Sequence, residues 1–210
     1  MIASALTLAL VQAVAASPLA SSAPSKPACA SPKGNLTIHA ANLYPEQADF
    51  DTKRCVTYIS NLYKNTVTVY DAAENRVTNV INLPGITDVA AFHVSGVQID
   101  KRHDKLTISA NTGAAFDTLG ADLSGTNFIV QYDLASNKIE WQNNLTVLSK
   151  GLYGGFQDIE HDAAGNSFVA EPWFLERGAN QTTNGFSGIA AINDGAAVLV
   201  PDGQRGQLLR

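Results

Sequence analysis

The chain has 210 residues, 45% of them hydrophobic and 16% charged, a composition that suits one folded domain or a piece of a larger one. Its 14 Lys and Arg against 19 Asp and Glu leave a net charge of −5, and no basic run occurs anywhere. Nucleic acid and anionic membrane surfaces are therefore excluded as partners on electrostatic grounds.

Met1 to Ala16 is uncharged and almost wholly apolar. Val14-Ala15-Ala16 puts small residues where a signal peptidase reads them, just ahead of Ser17-Pro18. A cleaved secretory signal peptide is expected over residues 1–16; the alternative, a membrane anchor, is disfavoured because the run is short for a bilayer. Residues 17–32 are rich in Ser, Pro and Ala and read as a flexible leader with too little hydrophobic bulk to fold.

Export gives meaning to two further features. Cys29 and Cys55 are the only cysteines, an even pair without metal-ligand spacing. A disulfide is expected between them, two free buried thiols being the alternative. Asn35-Leu36-Thr37, Asn144-Leu145-Thr146 and Asn180-Gln181-Thr182 are glycosylation sequons.

From Cys55 to Leu83 the sequence reads as three short strands joined by two tight turns. Val56, Tyr58, Thr66–Tyr70 and Val77–Ile81 supply β-branched and aromatic residues, and Asn61–Asn65 and Asp71–Asn75 supply polar breaks. The unit recurs. Ala48–Asp51, Val56–Ser60, Thr66–Tyr70 and Val77–Leu83 make a first set of four runs. Gly96–Asp100, Leu106–Ala110, Phe128–Tyr132 and Ile139–Leu145 make a second, and Phe156–Asp162, Ser167–Ala170, Gly188–Ile192 and Ala196–Val200 a third. Repetition at roughly 50–60-residue intervals predicts an all-β, β-propeller-like fold over residues 33–210 with three four-stranded blades. Asp51, Asp100 and Asp162 recur at equivalent turns, so they are expected to cap backbone N–H groups there. Propellers usually close with about four blades or more. Three blades and a polar tail, Pro201–Arg210, therefore predict an incomplete propeller from a truncated product.

In an up-and-down meander the long connections Asn111–Asn127 and Glu171–Ser187 emerge at one end, with the crossings Pro84–Ser95 and Thr146–Gly155. Function collects in such loops. That end offers Asp88, His93, Asp117, Asp122, Tyr153, Asp158, Glu160, Glu171 and Trp173. Asp158, Glu160, Glu171 and His93 are the candidate ligands for a metal, with Ca²⁺ the cation their oxygens suit. His103 and His161 fall at the other end and are expected to be plain surface residues. No H-x-x-x-H, G-x-S-x-G or P-loop pattern is present.

The wording of four stretches is distinctive: NLTIHAANLYPEQADF (Asn35–Phe50), CVTYISNLYKNTVTVYD (Cys55–Asp71), TGAAFDT (Thr112–Thr118) and GLYGGFQDIEHDAAGNSFVAE (Gly151–Glu171). They resemble the core trichothecene cluster protein 14 family, secreted fungal proteins encoded within trichothecene toxin gene clusters. The resemblance runs from about Asn35 to about Pro201. It implies an extracellular, propeller-like protein associated with virulence on plants, in a family without established catalytic residues and whose members continue beyond Arg210. The function expected is a secreted, non-enzymatic propeller that binds an unknown extracellular protein or carbohydrate, without a cofactor. The alternative is a metal-dependent, lactonase-like hydrolase on the same scaffold.

Overall fold

The computed structural model describes residues 29, 35–170, 188–202 and 207–210. The expected signal peptide, the expected leader apart from Cys29, and Glu171, Trp173 and Asn180 lie outside the described residues.

The first sheet is a four-stranded antiparallel meander: β1 (Pro45–Asp51), β2 (Val56–Asn61), β3 (Thr66–Asp71) and β4 (Arg76–Asn82), in that order. The second repeats it with β5 (Phe92–Asp100), β6 (Lys105–Thr112), β7 (Phe128–Asp133) and β8 (Lys138–Asn144). Short helices α1 (Gly113–Asp117) and α2 (Leu145–Leu148) follow β6 and β8.

One turn design serves these two sheets and the turn after His161. Asp51 Oδ1 accepts from Lys53 N and Arg54 N, Asp100 Oδ1 from Arg102 N and His103 N, and Asp162 Oδ1 from Ala164 N and Asn166 N. Asp71 does the same for Ala73 and Glu74. Asn65, Asn75 and Asn137 close their turns at positive φ, where asparagine's short polar side chain is tolerated. The three repeated aspartates therefore cap turns, as their recurrence predicts.

The remaining strands depart from the expected grouping. β9 (Asp158–His161) and β10 (Ser167–Ala170) form a two-stranded sheet. β11 (Ala190–Ile192), β12 (Ala197–Asp202) and β13 (Gln207–Leu209) form a separate three-stranded one. The runs Gly188–Ile192 and Ala196–Val200 thus begin a fourth sheet and do not complete the third. The cause lies in β9, whose side chains hold β11 as the next inner strand: Asp158 Oδ2 accepts from Ile189 N at 3.0 Å and Glu160 Oε2 from Ala191 N at 3.1 Å.

The same device joins the first two sheets. Gln47 Oε1 accepts from Val97 N at 2.7 Å and Asp49 Oδ2 from Ile99 N at 2.9 Å. Four residues ahead of the turn aspartate stand Gln47, Gly96 and Asp158 in successive sheets; two ahead stand Asp49, Gln98 and Glu160. Polar side chains at a spacing of two point to one side of a strand, here toward the neighbouring inner strand. β1, β5, β9 and β11 accordingly line up side by side, with contacts between each successive pair.

The core lies between the first two sheets: Tyr58, Val67, Val69 and Ile81 pack on Val94, Val97, Ile99, Leu106, Ile108 and Val130, all buried. β6 shows why both its faces are covered. Leu106, Ile108 and Ala110 turn to this core, while Thr107, Ser109 and Asn111 turn to the third sheet, and all six are fully buried. On that polar side Thr107 Oγ1 lies 2.8 Å from His161 Nε2 and Ser109 Oγ accepts from Gly96 N at 2.9 Å. Gly96 is required here, since a Cβ would stand 2.5 Å from Ser109 Oγ and 2.8 Å from the Gln157 carbonyl.

At the turn end the sheets are clasped by arginines. Arg54 forks onto Asp104 at 2.6 and 2.9 Å and also reaches Asp51 Oδ2 and the Leu134 carbonyl. Arg102 donates to the His161 carbonyl and to Asp194. The paired guanidinium lowers the Asp104 carboxyl to a pKa of about 2, its hydrogen bond with Arg54 being the leading cause. Among the described residues no helix is long and apolar enough to cross a membrane.

Candidate functional site

The residues singled out as metal ligands do not converge. Asp158 and Glu160 lie on β9, and each carboxylate is shared between its own strand and its neighbours. Asp158 Oδ1 takes Ile159 N and Gln47 Nε2 while Oδ2 takes Ile189 N. Glu160 Oε1 takes His161 N while Oε2 takes Ala191 N. These oxygens are occupied by the backbone, which is why an axial position alone does not make them ligands. His93 is buried near the start of β5, on a different strand from both carboxylates, and Glu171 lies outside the described residues. Among the described residues no three His, Cys, Asp or Glu side chains are grouped to hold a metal.

The loop end does gather side chains, of another kind. Tyr44 enters β1, Tyr63 tips the β2–β3 turn, His93 opens β5 and Phe116 sits in α1. Their rings meet edge to face in one row, with centroid spacings of 5.2, 4.9 and 5.5 Å. Aromatic edges carry partial positive charge and faces partial negative, so such contacts hold the row together. Backbone bonds fix its outer members: Tyr44 N donates to Asn61 Oδ1, and Leu62 N to the Tyr44 carbonyl. Asp117 Oδ1 lies 3.5 Å from His93 Nε2, and Asp88 is paired with Lys64 at 3.3 Å. Asp122 caps the Ser124 N–H and borders, with Tyr153, a shallow depression of about 440 Å³.

Of the residues singled out in the sequence, His93 and Asp117 meet at this row and Asp88 pairs with Lys64 next to Tyr63, whereas Asp158 and Glu160 lie on β9; Tyr44, Tyr63 and Phe116 were not among them. A signal existed: Tyr63 stands at the tip of the turn Asn61–Asn65, between two strands, where an aromatic has no core to fill. His161 requires a correction. It is 1% exposed, enclosed between the second and third sheets, and burial pushes its pKa down from 6.5 against the opposing pull of Asp100 and Glu160. His103, by contrast, is partly exposed and bonded to Asp100 at 2.6 Å.

The disulfide between Cys29 and Cys55 is present. It ties a residue of the leader to the first turn of the first sheet. Asn35 is exposed; Asn144 is partly buried and caps α2 by accepting from Val147 N.

A family model described as Mal s 1 allergenic protein-like matches residues 22–151. The chain belongs to this family. It is 35% identical over 147 residues to trichothecene biosynthesis protein 14 of Trichoderma arundinaceum, covering 66% of this chain and 40% of that protein. It is 31% identical over 210 residues to core trichothecene cluster protein 14 of Fusarium sporotrichioides, covering 85% of this chain and 54% of that protein. The resemblance read from the sequence therefore holds, and the chain spans about half the length of these relatives. Among solved structures it is similar to the major Malassezia sympodialis allergen Mala s 1, with a TM-score of 0.66 at 19% identity, covering 79% of this chain and 62% of that one. That likeness supports an all-β, propeller-like fold.

Proposed function

We propose that the protein is a secreted, non-enzymatic, propeller-like protein that binds an extracellular partner through its loop end, in a setting linked to a trichothecene cluster and to virulence. Its four sheets are read as part of a propeller ring. The observation that carries this reading is the contrast between the two candidate sites. The axial carboxylates are tied up by backbone N–H groups, whereas the loop end presents half-exposed Tyr44 and Tyr63 beside exposed Asp117 and Asp88. Exposed aromatics on a rigid scaffold suit recognition. Export is supported by the apolar residues 1–16 and by the disulfide, which persists in oxidising compartments.

Co-sedimentation with an insoluble plant cell-surface preparation tests the reading. Retention is expected for the secreted protein and a clear loss for Tyr63→Ala combined with Phe116→Ala. Absence of retention, or calcium-dependent hydrolysis of a lactone, overturns it.

A further inference from the structure

The row at the loop end has the properties of a built platform. Tyr44 and Tyr63 are 47% and 54% exposed and touch each other edge to face. A single exposed aromatic is ordinary. Here two rings from separate segments touch, and Tyr63 in turn rests on a histidine that is only 4% exposed. Phe116 supports that histidine from the other side. His93 also carries an unsatisfied polar atom, for its buried Nδ1 has no hydrogen-bond partner. With its proton on Nε2, facing Asp117, the ring leaves Nδ1 a bare acceptor. An unpaired buried acceptor is unfavourable, so this arrangement is not one that stability alone selects.

Resting on the binding reading above, we infer that this row is a saccharide-binding site. The Tyr63 and Tyr44 rings take the C–H faces of neutral pyranose units, and the carboxylates of Asp117 and Asp88 accept from their hydroxyls. A protein hot spot needs a dry apolar centre with a polar rim. Here the Asp117 side chain, 64% exposed, stands 3.5 Å from the His93 ring on which Tyr63 packs, and Asp88, 69% exposed, is paired with Lys64, the residue next to Tyr63. A sugar alternates apolar C–H faces with hydroxyls at that same short spacing. The Asp117 carboxylate also disfavours acidic sugars by like-charge repulsion, the Asp88 charge being offset by Lys64.

An array of neutral and uronic-acid oligosaccharides spanning hexoses, pentoses and N-acetylhexosamines tests this, followed by calorimetry on the best binder. Binding is expected for neutral members only. Tyr63→Ala should weaken it about tenfold or more, as loss of an aromatic anchor does. Tyr63→Phe should stay within about twofold, because it keeps the ring face. Val80→Ser, on the outer strand of the first sheet, should change nothing. Melting curves of each variant separate lost binding from lost folding. No neutral binder, or equal binding by a folded Tyr63→Ala, overturns the inference. Cell-surface retention that survives periodate cleavage of sugar diols but not protease also overturns it, while leaving the binding reading intact.

Discussion

Gln47 Nε2 on β1 donates to Asp158 Oδ1 on β9 at 2.9 Å, across 111 residues of sequence. β5 lies between them in the chain and contacts both strands. The inner strands therefore curve tightly enough for alternate sheets to touch, and one carboxylate joins three of them: β1 through Gln47, its own strand through Ile159 and β11 through Ile189.

Removing that carboxylate should loosen the whole arc. Asp158→Ala strands three donors and is expected to cost about 2–3 kcal/mol, with Asp158→Asn costing roughly half as much because one acceptor oxygen remains. Urea unfolding monitored by circular dichroism measures both. Equal stability of Asp158→Ala and wild type would refute the bridging role.

Gly96 is a test of the sheet spacing. A methyl group there meets Ser109 Oγ and the Gln157 carbonyl, and the second of these is backbone that cannot swing aside. Gly96→Ala should destabilise by about 1–3 kcal/mol, as overpacking does. Pairing it with Ser109→Ala should recover only part of the loss.

His161 makes stability depend on mild acid. Burial lowers its folded pKa below 6.5, so the folded state favours the neutral ring. Its contribution is complete above pH 6.5 and falls as the pH drops below that value, because the unfolded chain then binds the proton more readily. Facing carboxylates on Asp100, Glu160 and Asp49 moderate the shift, while the Arg102 guanidinium adds to it. Melting temperature should fall between pH 7 and pH 5, and His161→Gln should flatten that slope. An unchanged slope in the variant would show that another group titrates.

Much of this architecture is legible in the sequence, because turns and strands are written in local chemistry. Asp71 with Asn75, and Asp133 with Asn137, announce their turns by an acceptor and a residue that tolerates positive φ. The third blade was misread for a physical reason. Adjacent apolar runs suggest pairing, whereas β11 is placed by bonds from Asp158 and Glu160, each 31 residues away. His161 was misplaced because its turn position suggested surface, and nothing local reveals that Thr107 waits 54 residues earlier. The aromatic row was half legible: its polar members were found, but its rings come from four separate segments.

The Cys29–Cys55 bond closes a loop of 26 residues. On the chain-entropy estimate it should contribute roughly 3 kcal/mol. Reduction of the purified protein should lower the urea midpoint accordingly, and thiol labelling before reduction should find no free cysteine.

Calcium decides most directly whether the axial carboxylates hold the fold or a cation. Calorimetric titration of Ca²⁺ into chelator-treated purified protein should give no binding heat, and the melting temperature should be unchanged by Ca²⁺, since any ion bound to the native state would raise it. A one-to-one binding isotherm that disappears in Asp158→Asn would contradict the structural role of Asp158 and restore the metal site.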